Sequence, residues 1–71
     1  MADTQQLLPA GFNRFSLVAN IPSGSTVIIE SQCQDVWVTV STYTESGGWP
    51  QETGAAPIRI TATGDATFQV Y

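Results

Sequence analysis

Val36-Trp37-Val38-Thr39-Val40 constrains the fold of this chain more than any other stretch. Its valines fall on one side, and Trp37 and Thr39 on the other. That is the two-residue period of a strand with one buried face. Three β-branched side chains on one face make a continuous apolar ridge, and such a ridge needs cover. The sequence offers cover from both directions: Val27 and Ile29 before it, then Ile58, Ile60, Phe68 and Val70 after it. The pattern predicts the middle strand of a small antiparallel β domain.

The flanking segments use the same period. Phe15, Leu17, Ala19 and Ile21 alternate with Arg14, Ser16, Val18 and Asn20. Pro22-Ser23-Gly24 then fits a three-residue hairpin loop, with proline presetting φ and glycine accepting the left-handed position. This turn predicts Leu17 opposite Ile29 and Ala19 opposite Val27, apolar against apolar. The next strand, Ser25 to Glu30, runs into Ser31-Gln32-Cys33-Gln34-Asp35. Pairing Ile29 with Val36 and Val27 with Val38 needs an even loop, either Gln32-Cys33 alone or the four residues 31–34. The lack of glycine favours the longer one, with Cys33 at its tip.

Beyond Val40 the alternation loosens, and residues 45–56 read as one long loop carrying Trp49 between Gly48 and Pro50. Pro57 then opens a strand with Ile58, Ile60 and Ala62 on one side, an allowed place for proline. A three-residue turn, Thr63-Gly64-Asp65, predicts Ile60 opposite Phe68 and Ile58 opposite Val70. Five strands without a helix-period segment predict an all-β fold. It is a small antiparallel five-stranded sandwich or partly open barrel over residues 12–71, preceded by an extended N-terminal arm, residues 1–11. Leu7 and Leu8 belong either to a loose terminus or to an arm lying on a neighbouring subunit.

Composition narrows the function. A chain of 71 residues hides only about 60% of its unfolded surface, so it is marginal alone. Cys33 is the one cysteine and histidine is absent, which leaves self-association or docking as the compensation for small size. Charged residues make up 11%, against about 25% in ordinary domains. With Arg14 and Arg59 as the only cations and a net charge of −4, phosphate backbones and anionic membranes are repelled. Serine, threonine and glutamine must cover the surface instead, and such a surface is cheap to desolvate against another protein. Leu7-Leu8 is too short for a signal-peptide core, and no run reaches membrane-span length. A chain from Met1 to Tyr71 reads as a whole small gene product or a trimmed piece of one.

Without histidine or lysine the commonest catalytic bases are missing. The carboxylates Asp3, Asp35, Glu45, Glu52 and Asp65 fall in predicted turns, loops or the arm, and Glu30 at a strand end. No catalytic, metal or cofactor residue is expected, and no small-molecule substrate. Cys33 has no base or cation beside it to activate the thiol. The candidate residues are instead partner contacts: Leu7, Leu8, Trp37, Tyr43 and Trp49. Trp37 belongs either to a second buried face or to an exposed patch with Tyr43 and Val18. Trp49 either folds back as a lid or presents its ring to a partner or a sugar.

The stretch Ile21-Pro22-Ser23-Gly24-Ser25-Thr26-Val27-Ile28-Ile29-Glu30, the Val-Trp-Val strand, a Gly/Pro loop and a short last strand together resemble small all-β virion proteins of tailed bacteriophages. The likeness, of size and arrangement, runs from about Phe15 to Tyr71. It points to capsid decoration (cement) and head accessory proteins. The resemblance implies a structural, non-enzymatic virion protein, assembled in the host cytoplasm and present in many copies. It would stabilise contacts between capsid subunits, with itself and the major capsid or another virion protein as partners. The residues alone also allow a small protein- or carbohydrate-binding β module built on the Trp49 loop.

Overall fold

The structure, a computed structural model, describes residues 4–11, 14–52 and 54–71. Among these residues seven strands follow one another: β1 (Thr4–Leu8), β2 (Arg14–Asn20), β3 (Thr26–Cys33), β4 (Val36–Tyr43), β5 (Gly47–Glu52), β6 (Ile58–Thr63) and β7 (Thr67–Val70). They form two antiparallel sheets, one ordered β1-β6-β3-β4 and the other β5-β2-β7. The sheets face each other as an open sandwich, so the barrel alternative falls. Five expected strands become seven because two segments that read as irregular are paired. Phe12 and Asn13, inside the expected first strand, and Thr53, inside the expected loop, lie outside the described residues, as do Met1, Ala2 and Asp3.

The alternation predicts burial well. Phe15, Leu17 and Ala19 of β2, Val27 and Ile29 of β3, and Ile58, Ile60 and Ala62 of β6 are all buried. With Leu8, Ile21 and Ala66 they make one core, against which Tyr43, Trp49, Phe68 and Val70 pack. What the alternation does not predict is who pairs with whom. Pro22-Ser23-Gly24 does turn the chain, with the Ser25 N–H donating to the Pro22 carbonyl at 3.0 Å. Yet β2 and β3 lie in different sheets, so Leu17 and Ile29 contribute to one core from opposite sheets rather than pairing along a ladder. The same holds for Thr63-Gly64-Asp65, which carries the chain from β6 in one sheet to β7 in the other. Both expected hairpins are corrected to arches. Matching apolar faces satisfy either geometry, because a lateral neighbour and a facing neighbour both contribute to one core.

Among the described residues only β3 and β4 form a hairpin between consecutive strands. Its turn is two residues, Gln34-Asp35, with Gln34 in the left-handed region at φ 57° and Cys33 opposite Val36. The four-residue loop is therefore corrected. The register shifts between Ile29 and Glu30, so that Ile29 pairs with Ser41 and Glu30 with Thr39, leaving Val40 as the extra residue. This β-bulge absorbs the mismatch that a longer loop was expected to absorb. As a result Val27 meets Tyr43, and the valines run past the end of the core. Val36, Val38 and Val40 are 62%, 45% and 51% exposed. The strand expected in the middle of the domain is the edge of its sheet.

Most of the described part of the segment expected as an extended N-terminal arm, residues 1–11, is built into the sheet. Residues 4–8 pair with β6, from Thr4 opposite Ala62 to Leu8 opposite Ile58, and Leu8 is 6% exposed within the core. The loop 45–56 contains β5, which pairs with β2 from Ala19 opposite Gly47 to Arg14 opposite Glu52. Pro50 is tolerated because β5 is an edge strand, where a missing N–H costs no ladder bond. Glycines and a proline mask this strand in the sequence.

Core position should decide mutational cost. Ile60→Ala empties a fully buried site and should cost about 2–5 kcal/mol, whereas Val38→Ala should cost under about 1 kcal/mol. Denaturant melts giving the reverse order would place β4 back in the middle. A second outcome concerns Gly64, where φ is 68° and an added Cβ would sit 2.6 Å from the Ser25 Oγ. That oxygen accepts the Asp65 N–H at 3.0 Å and fixes the last arch. Gly64→Ala should cost on the order of 1–3 kcal/mol, read from the same melts.

Candidate interaction surface

Side chains alternate outward as well as inward, and the outer face of the four-stranded sheet gathers residues of mixed chemistry. Leu7 of β1 stands opposite Arg59 of β6, and Arg59 stands opposite Glu30 of β3. Arg59 Nε donates to Glu30 Oε1 at 2.8 Å, while its guanidinium carbon lies 4.6 Å from the ring centroid of Trp37 on β4. One arginine therefore ties three adjacent strands together, by an ion pair to β3 and a cation–π contact to β4. Trp37 is half-buried by this contact. It belongs neither to a second core nor to a patch with Tyr43 and Val18. Tyr43 faces the core beside Val27, and Val18 lies on the outside of the other sheet. The bulge at Val40 reverses the phase between Trp37 and Tyr43, which simple alternation puts on one face.

The open flank between β4 and β5 is the second surface. Tyr43 from one sheet and Trp49 from the other stack with centroids 3.9 Å apart and planes 15° from parallel. The Tyr43 hydroxyl accepts from Gln51 Nε2 at 2.7 Å, and Gln51 is buried beneath. This clasp joins the sheets where no hydrogen-bond ladder does. On one side of it lies a hollow of about 390 Å³ lined by Thr42, Thr44, Glu45 and Ser46 together with the two rings. On the other lies a cleft of about 290 Å³ between Ser31, Val40 and Ser41 of one sheet and Gln51 and Glu52 of the other. The valine ridge continues from that cleft toward the hairpin tip.

The five candidate contacts are thus dispersed rather than gathered. Leu8 is in the core, Leu7 is 64% exposed on the outer face near the Arg59–Trp37 pair, and Tyr43 and Trp49 contact each other on the flank. Trp49 has folded back: its six-membered ring also lies against Gly47, where an added Cβ would approach ring carbon Cζ2 to 2.9 Å. A ring held this way is not freely offered to a sugar. Sequence reasoning misses the exposure of Val36, Val38 and Val40. The absence of any charge from Val36 to Tyr43 leaves nothing to mark that strand as an edge. Cys33 is exposed at the end of β3, and among the described residues no three His, Cys, Asp or Glu side chains converge as a metal group would require. No helix of the described residues is long and apolar enough to cross a membrane.

Fold and surface together define an open two-sheet antiparallel β-sandwich with an uncovered apolar edge strand. No family model, characterised protein or solved structure matches the chain.

The clasp is open to a direct check. Gly47→Ala should push the Trp49 ring off its seat, costing about 1–3 kcal/mol as overpacking does. Tryptophan fluorescence should shift toward that of a solvent-exposed ring, by comparison with Gly48→Ala, where the nearest contact is an ordinary 3.6 Å from Val18. Equal spectra for the two variants would mean that the ring is not held there.

Proposed function

We propose that this chain is a structural assembly protein that acts through protein–protein contacts, and that its specific role is that of a virion accessory protein decorating a capsid. The observation that carries the reading is the exposed ridge Val36, Val38 and Val40 along an edge strand without a charged residue. A soluble monomer normally blunts such an edge with lysine, proline, a bulge or a covering loop, and of lysine, proline and bulge β4 has only the bulge at Val40. A subunit destined for an assembly has no need to.

Composition supports the same reading. The 11% of charged residues leaves a surface of threonine, serine and glutamine that loses little hydration when packed against a protein. The capsid role rests on the resemblance to small all-β head proteins of tailed bacteriophages over residues 15–71. In that role the protein sits in many copies on the shell, touching neighbouring copies and the capsid subunit. A carbohydrate-binding module is less well supported, because the Trp49 ring is already engaged by Tyr43 and Gly47.

Quantitative mass spectrometry of purified particles made from the genome that encodes this chain tests the role. Copies in proportion to the capsid subunit are expected, and a deletion should yield shells that open at lower temperature. Particles lacking the chain altogether would sink the virion reading.

A further inference from the structure

The four-stranded sheet ends in β1 on one side and β4 on the other, and the three-stranded sheet in β5 and β7. Three of these edges are poorly suited to recruiting a strand. Pro50 interrupts the β5 edge, β7 has four residues, and β1 has five, of which four are exposed and mostly polar. β4 differs in length and in apolar exposure: it has eight residues and three exposed valines, free of proline and charge, with its bulge at Val40, at one end of the ridge.

Resting on the assembly reading above, we propose that β4 is the site at which two copies of this chain join, strand against antiparallel strand, about a two-fold axis at Val38. An antiparallel edge pairing is self-complementary, so one strand can supply both halves of the contact. With Val38 opposite its own counterpart, Val36 falls opposite Val40 and Trp37 opposite Thr39. The valines then form one apolar band on the core side of a sheet that runs through both molecules. Cross-strand β-branched pairs of this kind are what stabilise sheets.

The self-complementary register favours a second copy, and charge does not oppose it. The chain carries −4 overall, and a like-charged surface would normally resist self-pairing. The β4 segment holds none of that charge. In the proposed register Asp35 meets Ser41, and no carboxylate meets another. Size permits it as well: a standard interface takes about 800 Å² from each partner, less than a fifth of the 4342 Å² exposed here.

Sedimentation velocity of the full-length protein across a concentration series should show a species of about 15 kDa, twice the 7.6 kDa chain. Val38→Lys sets two like charges face to face at the axis and should abolish it. The circular dichroism spectrum should be unchanged, since Val38 is 45% exposed in the single chain. A second test needs no loss of function. In a Cys33→Ser background, Val38→Cys brings two thiols opposite each other, where directly opposed Cβ atoms are about 4.5–5.5 Å apart, close to disulfide reach. It should cross-link under mild oxidation, and Gln5→Cys on the far edge of the same sheet should not. A chain monomeric at every concentration, a Val38→Lys variant as dimeric as the parent, or equal cross-linking at both edges would each overturn the β4 contact. If particles contain the chain but β4 fails these tests, this contact falls and the virion reading stands. If β4 passes them but particles lack the chain, the contact stands and the virion reading falls.

Discussion

The structure depends on one constraint: Leu17, Val27, Ile29, Ile58 and Ile60 must all leave water together. No single sheet of this chain can cover them, because each sheet has one apolar face and nothing to lay on it. The chain therefore crosses between sheets at every connection except the β3–β4 hairpin. Each crossing places the next apolar face opposite the last, and burial rather than local turn preference sets the topology. At about 25 cal/mol per Å² of apolar surface, this facing arrangement outweighs the modest preference of any turn dipeptide for a hairpin.

The bulge at Val40 is a consequence of the same constraint. β3 needs Val27 and Ile29 inward, on the same face as Ile60 and Ala62 of β6 beside it, and β4 needs Tyr43 inward to meet Trp49. Regular pairing could satisfy both ends only by forcing the tight Gln34-Asp35 turn to lengthen. The extra residue settles the conflict midway along the strand and leaves the valines beyond the cover of β5. An apolar edge is the result. In a 71-residue protein without disulfide bonds, outside surface is also what the fold most lacks, so the exposed edge and the marginal core are two sides of one small-domain problem.

Polar contacts hold the remainder in place. Arg59 spans Glu30 and Trp37 on the outer face, and Gln51 and Tyr43 join the sheets at the open flank. The Tyr71 N–H and carbonyl both bond to Ser16, at 2.9 and 3.1 Å, which extends the β2–β7 ladder to the last residue. The Arg14–Glu52 pair, by contrast, is exposed on both sides at 78% and 76% and adds little, since water screens it. Every one of the stronger contacts joins residues far apart in sequence or on different strands.

The all-β class, the inward positions of β2, β3 and β6, and the turns at Pro22-Ser23-Gly24 and Thr63-Gly64-Asp65 are legible in the sequence. Side-chain period and turn chemistry are local properties that each segment carries by itself. The strands β1 and β5 are not legible: Thr4–Leu8 is too polar and Gly47–Glu52 too rich in glycine and proline to announce themselves. Only pairing with β6 and β2 makes them strands. The candidate surface divides the same way. Trp37, Tyr43 and Trp49 are identifiable as large aromatics among small residues, but their partners are not. The valine ridge reads as core because alternation states that a strand has an apolar face, and never which face is covered. Lateral and facing neighbours look alike to a one-dimensional pattern. Which strand ends a sheet is decided only when all seven compete for the same buried space.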